Sequence, residues 1–456
     1  MIEAQSKARF FSNRIGFILS TAGSAIGLAN IWKFPYVVGE FGGGGFIILY
    51  FFFLFMIGFP AFFSEILIGK ITGKRPDDAY ESLGKSKTWG KIGLGTMWTG
   101  FFVSSFYSVV AGWILGYLYE ALRGNLLFIQ TIPQAHGHYL SLMQEPFWSL
   151  FFHFIFAMIC LWFLIGGIRK GIEKCNKICM PIFFIVLSLL LVWTFTLPTA
   201  KETVNFFLRC DFSKISPQAV IIALGHAFFT LSVGQGTLVT YGSYLKPHSK
   251  ILSSASLVVL TDTLVSLASA FCILSIVAFG NQNIQFGPGL IFETLPTIFS
   301  TVSGGYSLCA GFFFLVFIAA LTSQVSALEP LIAHITEKFS MNRRKASGLV
   351  VLASFLIGVP SALSQSSLST LTFFDNTFFD IMNFTTTSML VPLGGLASVL
   401  LIGWKYGVQN ALNHLTGEEQ HFLQKQSFIK KYFKISIAFI APIFIIFVFA
   451  HAIGVI

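Results

Sequence analysis

Eleven stretches of this chain are long and apolar enough to cross a lipid bilayer, a length of about 17–25 residues each. They cover 15–38, 44–69, 92–122, 147–167, 178–198, 217–245, 251–279, 305–335, 347–363, 378–404 and 433–455. In lipid each backbone polar group needs a partner within its own segment, so such stretches become helices. The pattern predicts an all-α polytopic membrane protein with eleven transmembrane helices. Composition agrees: 55% of the 456 residues are hydrophobic, 54 are Phe, and only 11% are charged. Soluble domains carry about 25% charged residues, so a water-soluble or disordered chain is excluded. The first stretch is too long for a cleaved leader and is followed by no small-residue cleavage site. The six Cys are scattered without a C-x-x-C pair, which predicts neither a disulfide framework nor a metal site.

Basic residues orient the set, because cytoplasmic loops collect Lys and Arg. With the N-terminus in the cytoplasm, only Lys33, Arg123, Lys201, Arg209 and Lys214 of the 29 basic residues fall outside. Eleven spans then put the C-terminus outside. The net charge of +10 is accounted for by topology, and no nucleic-acid partner is needed to explain it.

Two stretches contain segments unsuited to a continuous helix. The first holds Ala22-Gly23-Ser24-Ala25-Ile26-Gly27-Leu28-Ala29-Asn30, and the sixth holds Thr230-Leu231-Ser232-Val233-Gly234-Gln235-Gly236. Gly in a helix interior costs about 1 kcal/mol relative to Ala, and a broken helix survives in a membrane only where it lines a polar cavity. Close packing through small residues would explain one such segment. Matching interruptions in the first and sixth stretches point instead to two repeats that share a substrate site. The expectation is a single transporter domain over 1–456, with repeat one at about 12–200, repeat two at about 215–405 in inverted orientation, and a peripheral helix at about 430–456.

The residues around these breaks resemble the neurotransmitter:sodium symporters, in their bacterial eleven-span branch. The resemblance covers nearly the whole chain. It rests on Arg14-Ile15-Gly16-Phe17, the run Gly23 to Tyr36, Gly42 to Phe46, and Tyr107-Ser108-Val109-Val110-Ala111-Gly112-Trp113. Further pieces are Gly171-Ile172-Glu173-Lys174 with Pro181, Phe228 to Ser232, Leu321-Thr322-Ser323 and Leu393-Gly394-Gly395-Leu396. The order of these pieces makes the resemblance specific.

The resemblance implies two Na⁺ sites and one amino-acid site. The second sodium site takes the carbonyls of Gly23, Ile26 and Ala319 with the hydroxyls of Thr322 and Ser323. The first takes the Ala25 carbonyl, the Asn30 side chain, Thr230 and Asp262. The substrate pocket maps to Ser24, Ala25, Gly27, Val103, Tyr107, Phe229, Thr230, Ser232, Gln235, Ser323 and Ala327. An outer gate falls on Lys33 with Asn383 or Asp380, and an inner gate on Glu337 with Lys7 or Arg9. Asp262 also stands out unaided, since an intramembrane carboxylate is costly and marks function by default. Its fixed negative charge predicts that chloride is not required. Glu65 reads as structural. Glu329 and His226 receive no specific role.

The implied function is a sodium-coupled secondary symporter that imports a neutral amino acid by alternating access in the bacterial plasma membrane, surrounded by lipid. The alternative is a sodium-dependent channel or sensor-like membrane protein of the same fold. No nucleophile–base constellation supports an enzyme, and no nucleotide-binding loop supplies another energy source.

Overall fold

The computed structural model describes residues 10–282 and 287–455, and their structure is nearly all helix. The membrane-type helices are α1 (Arg14–Ala25), α2 (Ala29–Glu40), α3 (Gly44–Thr72), then the short interhelical α4 (Pro76–Gly84), α5 (Lys87–Leu122), α6 (Pro146–Leu164) and α7 (Ile168–Phe195). The second half contains α8 (Pro217–Phe229), α9 (Thr237–Ser243), α10 (Leu252–Phe279), α11 (Gly305–Lys338), α12 (Arg343–Ala362), α13 (Phe378–Leu412) and α14 (Ser427–Ala452).

Nine of these helices are individually long and apolar enough to span a bilayer, and α1 with α2 forms a tenth, bent by 56° at its break. The sixth predicted stretch is divided between 13 residues of α8 and 7 of α9, so neither half reaches spanning length.

Both breaks follow from local backbone chemistry. At the end of α1, Ile26 is extended at φ −70° and ψ 104°. Between α8 and α9, Gly234 and Gly236 take φ +86° and +72°, a region glycine enters freely, and Ser232 takes φ +55°. A positive φ costs an L-residue with a β-carbon about 1–2 kcal/mol. The Ser232 hydroxyl offsets this by donating to the Ser24 carbonyl at 2.8 Å, which ties one break to the other.

The long helices α5 and α11, of 36 and 34 residues, pack along each other and carry the walls that face the breaks. Glu65 of α3, fully buried, accepts the Gly234 N–H at 2.8 Å. That backbone donor has no helical partner, so the carboxylate closes what would be an orphaned group. This is the structural role the sequence suggested for Glu65.

Candidate functional site

The two breaks, α5 and α11 enclose a small cavity of about 40 Å³. A water needs roughly 10–15 Å³, so the space is that of a few waters. Ordinary ligand sites measure about 300–1,000 Å³. Its side chains must therefore shift to admit a solute. Of the pocket residues expected from sequence, Ala25, Gly27, Val103, Tyr107, Phe229, Thr230, Ser232, Gln235, Ser323 and Ala327 line it. Ser24 stays behind the wall, where its carbonyl accepts from Ser232 and from Ser323 at 3.2 Å. Leu28, Ala29 and Gln324 also line the cavity, and sequence reasoning missed them. Gln324 follows the Thr322-Ser323 pair directly, a position that could have drawn attention.

The Tyr107 hydroxyl accepts from the Leu28 N–H at 3.4 Å. A β-carbon added at Gly27 would sit 3.3 Å from that hydroxyl and 3.5 Å from Ser323 Oγ. Glycine thus leaves a cradle of backbone N–H and hydroxyl groups at the end of a broken helix, an arrangement suited to a carboxylate.

On one side of the cavity lies a buried polar cluster. The Asn30 amide nitrogen donates to Asp262 Oδ1 at 2.7 Å, to Ser266 Oγ at 2.9 Å and to Thr230 Oγ1 at 3.0 Å. Thr230 donates to Asp262 Oδ2 at 3.1 Å. The Asn30 carbonyl oxygen accepts the Gly27 N–H at 2.9 Å. All four side chains are fully or almost fully buried. On the other side, Thr322 donates to the carbonyls of Ile318 and Ala319 at 3.1 and 3.2 Å. Its hydrogen is used within α11, which leaves the oxygen's lone pairs for another contact. Among the described residues no cluster of His, Cys, Asp and Glu fits a transition metal. The donors here are hydroxyl, amide, carbonyl and carboxylate oxygens, the set that suits a hard cation.

The proposed gates are arranged less simply. Arg9 and Lys7 lie outside the described residues. Glu337 pairs with Arg75 at 3.6 Å, a residue the sequence reading did not single out. Arg75 also bonds Asp78, reaches Asp77 at 3.6 Å and donates to the His334 carbonyl at 3.2 Å. His334 Nδ1 lies 3.0 Å from Asp77. Burial pushes the Asp77 carboxyl up, but the His334 hydrogen bond and the Arg75 charge outweigh it and hold it below its ordinary value. This network ties the α3–α4 turn to the C-terminal end of α11. Removing its cation, by Arg75→Gln, is expected to loosen that end. Hydrogen–deuterium exchange in α1 and the end of α11 should rise in Arg75→Gln and Glu337→Gln; unchanged exchange in both would remove the network from gating.

At the other expected gate, no ion pair within 4 Å joins Lys33 to Asp380 among the described residues. Asp380 accepts the Thr377 N–H at 3.1 Å and the Thr377 hydroxyl at 2.6 Å, in a capping box at the start of α13. Asn383 begins the next turn, where its side chain and carbonyl accept from Thr387 at 3.4 and 2.7 Å. A Lys33–Asp380 pair would have to open that box. Glu329, which had no partner in sequence, accepts from Arg343 at 2.9 Å and from the Tyr244 hydroxyl at 2.9 Å. Two cationic and phenolic donors thereby compensate a fully buried carboxylate.

Comparison with known proteins decides the family. The profile of the sodium:neurotransmitter symporter family matches residues 9–136 and 134–456. The chain belongs to the sodium:neurotransmitter symporter family. Like other members of this family it is a multi-pass membrane transporter. It is 35% identical over 453 residues to the uncharacterised sodium-dependent transporter YhdH of Bacillus subtilis, covering 99% of each chain. It is 31% identical to an uncharacterised sodium-dependent transporter of Haemophilus influenzae, covering 96% of this chain and 97% of that one. The crystal structure of MhsT in complex with L-phenylalanine superposes with a TM-score of 0.87 at 36% identity, over 97% of this chain and 99% of MhsT.

Proposed function

We propose that this symporter imports a neutral amino acid, driven by Na⁺ and without a chloride requirement. The observation that carries the reading is the cavity between the two helix breaks, with the Asn30–Thr230–Asp262 cluster on one flank and Thr322 and Ser323 on the other. The α-carboxylate would lie against Gly27 and Tyr107, and the first Na⁺ between that carboxylate, the Ala25 carbonyl, Asn30, Thr230 and Asp262. Asn30 offers its NH₂ to Asp262, so a cation held there through Asn30 requires the amide to turn and present its oxygen. The second Na⁺ would take the Gly23, Ile26 and Ala319 carbonyls with Thr322 and Ser323. Ala327 is small and Gln235 is polar, which leaves the side-chain end open to large neutral and aromatic amino acids.

Inward Na⁺ movement would drive alternating access, with two inverted repeats at about 12–200 and 215–405 and the segment at about 430–456 on the periphery. Eleven spans would place the N-terminus in the cytoplasm and the C-terminus outside, in a bacterial plasma membrane. The test is uptake of a labelled amino-acid panel into proteoliposomes with and without an inward Na⁺ gradient. Large neutral amino acids are expected to accumulate only with the gradient. Accumulation of glycine and glutamate in preference to all of them would overturn the substrate reading.

A further inference from the structure

Gln324 is 2% exposed, lies on α11 between Ser323 and the turn that carries Ala327, and is one of the residues that line the cavity. Its Nε2 donates to the Ser104 carbonyl of α5 at 3.1 Å. A carbonyl only accepts, so this bond decides which way the amide faces. The other end, Oε1, is buried and meets no donor among the described residues. Most buried polar atoms are paired, and one that is not calls for a reason.

The lining supplies one. Val103, next to Ser104, and Ala327, one turn beyond Gln324, are apolar and line the same cavity as Gln235. Oε1 has almost no water-accessible surface while the cavity is this small, so it gains a partner only when the cavity opens to admit a solute. A substrate side chain that enters beside Gln324 then meets this acceptor. If it carries no donor, the acceptor stays unpaired inside the protein. If it carries an N–H or O–H, the missing bond is made. A site built around a buried polar group rejects analogues that lack its partner far more strongly than an apolar pocket rejects a missing methylene.

We propose that Gln324 is a specificity-determining residue whose Oε1 accepts a hydrogen bond from the substrate side chain, so that this site selects neutral amino acids bearing a side-chain donor, such as an indole N–H or a phenol O–H, over hydrocarbon side chains of similar size. The proposal rests on the amino-acid reading above and adds a direction of preference within it.

The test uses full-length protein in proteoliposomes and two pairs of labelled substrates that differ chiefly in the donor: L-tyrosine with L-phenylalanine, and L-tryptophan with 1-methyl-L-tryptophan. In at least one pair the donor-bearing member should be favoured in kcat/KM by about tenfold or more, the scale of an unpaired buried acceptor. Gln324→Leu should bring that ratio towards one, and so should Gln324→Met, which serves if the leucine variant does not purify as a folded protein. The thermal midpoint in Na⁺ separates a specificity change from misfolding. Ratios near one in the wild type for both pairs, or a wild-type preference that persists in folded Gln324→Leu or Gln324→Met, overturn the proposal and leave amino-acid transport standing. Failure to transport any amino acid in a Na⁺ gradient overturns the functional reading itself.

Discussion

Asp262→Asn is expected to weaken Na⁺ activation of uptake by at least about tenfold, while replacing chloride with gluconate leaves the wild type active. The carboxylate is fully buried in α10 and bonded by Asn30 and Thr230. Two unit charges 4 Å apart attract by roughly 4 kcal/mol at an effective dielectric near 20. That figure is a ceiling on what the charge contributes to a cation beside it, because an Asn oxygen still offers a dipole. Tenfold, about 1.4 kcal/mol, is well inside it. The surroundings also say what the variant would accept instead. Ser266 Oγ accepts from Asn30 at 2.9 Å, and the buried Tyr50 hydroxyl makes no hydrogen bond within normal geometry among the described residues. The buried His226 ring stacks on Phe34 with centroids 5.1 Å apart and tilts against Tyr50 at 5.6 Å. With the carboxylate neutralised, these hydroxyls and the amides would surround a position short of one negative charge. Chloride should then restore part of the lost Na⁺ activation in Asp262→Asn. Measuring uptake against Na⁺ concentration in chloride and in gluconate decides the matter. Strict chloride dependence of the wild type, or an unchanged Na⁺ response in the variant, would remove Asp262 from ion coupling.

Gly234→Ala should abolish uptake and lower the thermal midpoint by several degrees, since about 1 kcal/mol moves a midpoint by roughly 2–4 °C even in larger domains. At φ +86° an alanine is strained by about 1–3 kcal/mol before any contact is considered. Its β-carbon would also stand 2.1 Å from the Val391 carbonyl oxygen and 3.0 Å from the Gly395 nitrogen, both backbone atoms of α13. Backbone cannot rotate out of the way as a side chain does, so α13 would have to move. The contact is reciprocal, because a β-carbon at Gly394 would meet the Gly234 carbonyl at 2.2 Å. The two glycines let the second break lie directly on α13 while Glu65 holds its N–H. Gly348→Ala serves as the control. It is a helical position in α12 with nothing within 4 Å of the added carbon, and there alanine should be neutral or stabilising by up to about 1 kcal/mol. If Gly234→Ala melts and transports like the control, the break is not held against α13 as the geometry requires.

Much of this architecture was legible in the residues because the bilayer imposes a strict one-dimensional rule. Apolar length forces helices, which is why most of the predicted stretches reappear as helices within a few residues of their expected ends. Glycine runs inside two of them announced where the helix fails, and the structure breaks there, at Ile26–Leu28 and between Phe229 and Thr237. At 217–245 the break leaves two pieces, each too short to count as a span by length alone. The resemblance of the motifs then brought ten of the expected pocket residues to one cavity.

Which side chain meets which across helices was not legible, because it depends on how each helix is rotated and how closely it approaches its neighbour. Sequence placed Glu329 in the membrane but could not see that Arg343, beyond the next turn, reaches back to it. It offered Asp380 to Lys33, yet Asp380 closes the first turn of its own helix, since a local cap forms without waiting for a distant partner. It named Glu337 but not Arg75, which packing of α4 against the end of α11 brings within reach. The aim of Gln324 came only from the approach of α5 to α11, which gives its amide nitrogen the Ser104 carbonyl and turns its oxygen away from it. Hydrophobic length and glycine placement are properties of the chain alone, and they determined the helices and their breaks. The pairing of buried polar groups is a property of interhelical distance and rotation, and only the tertiary structure decided it.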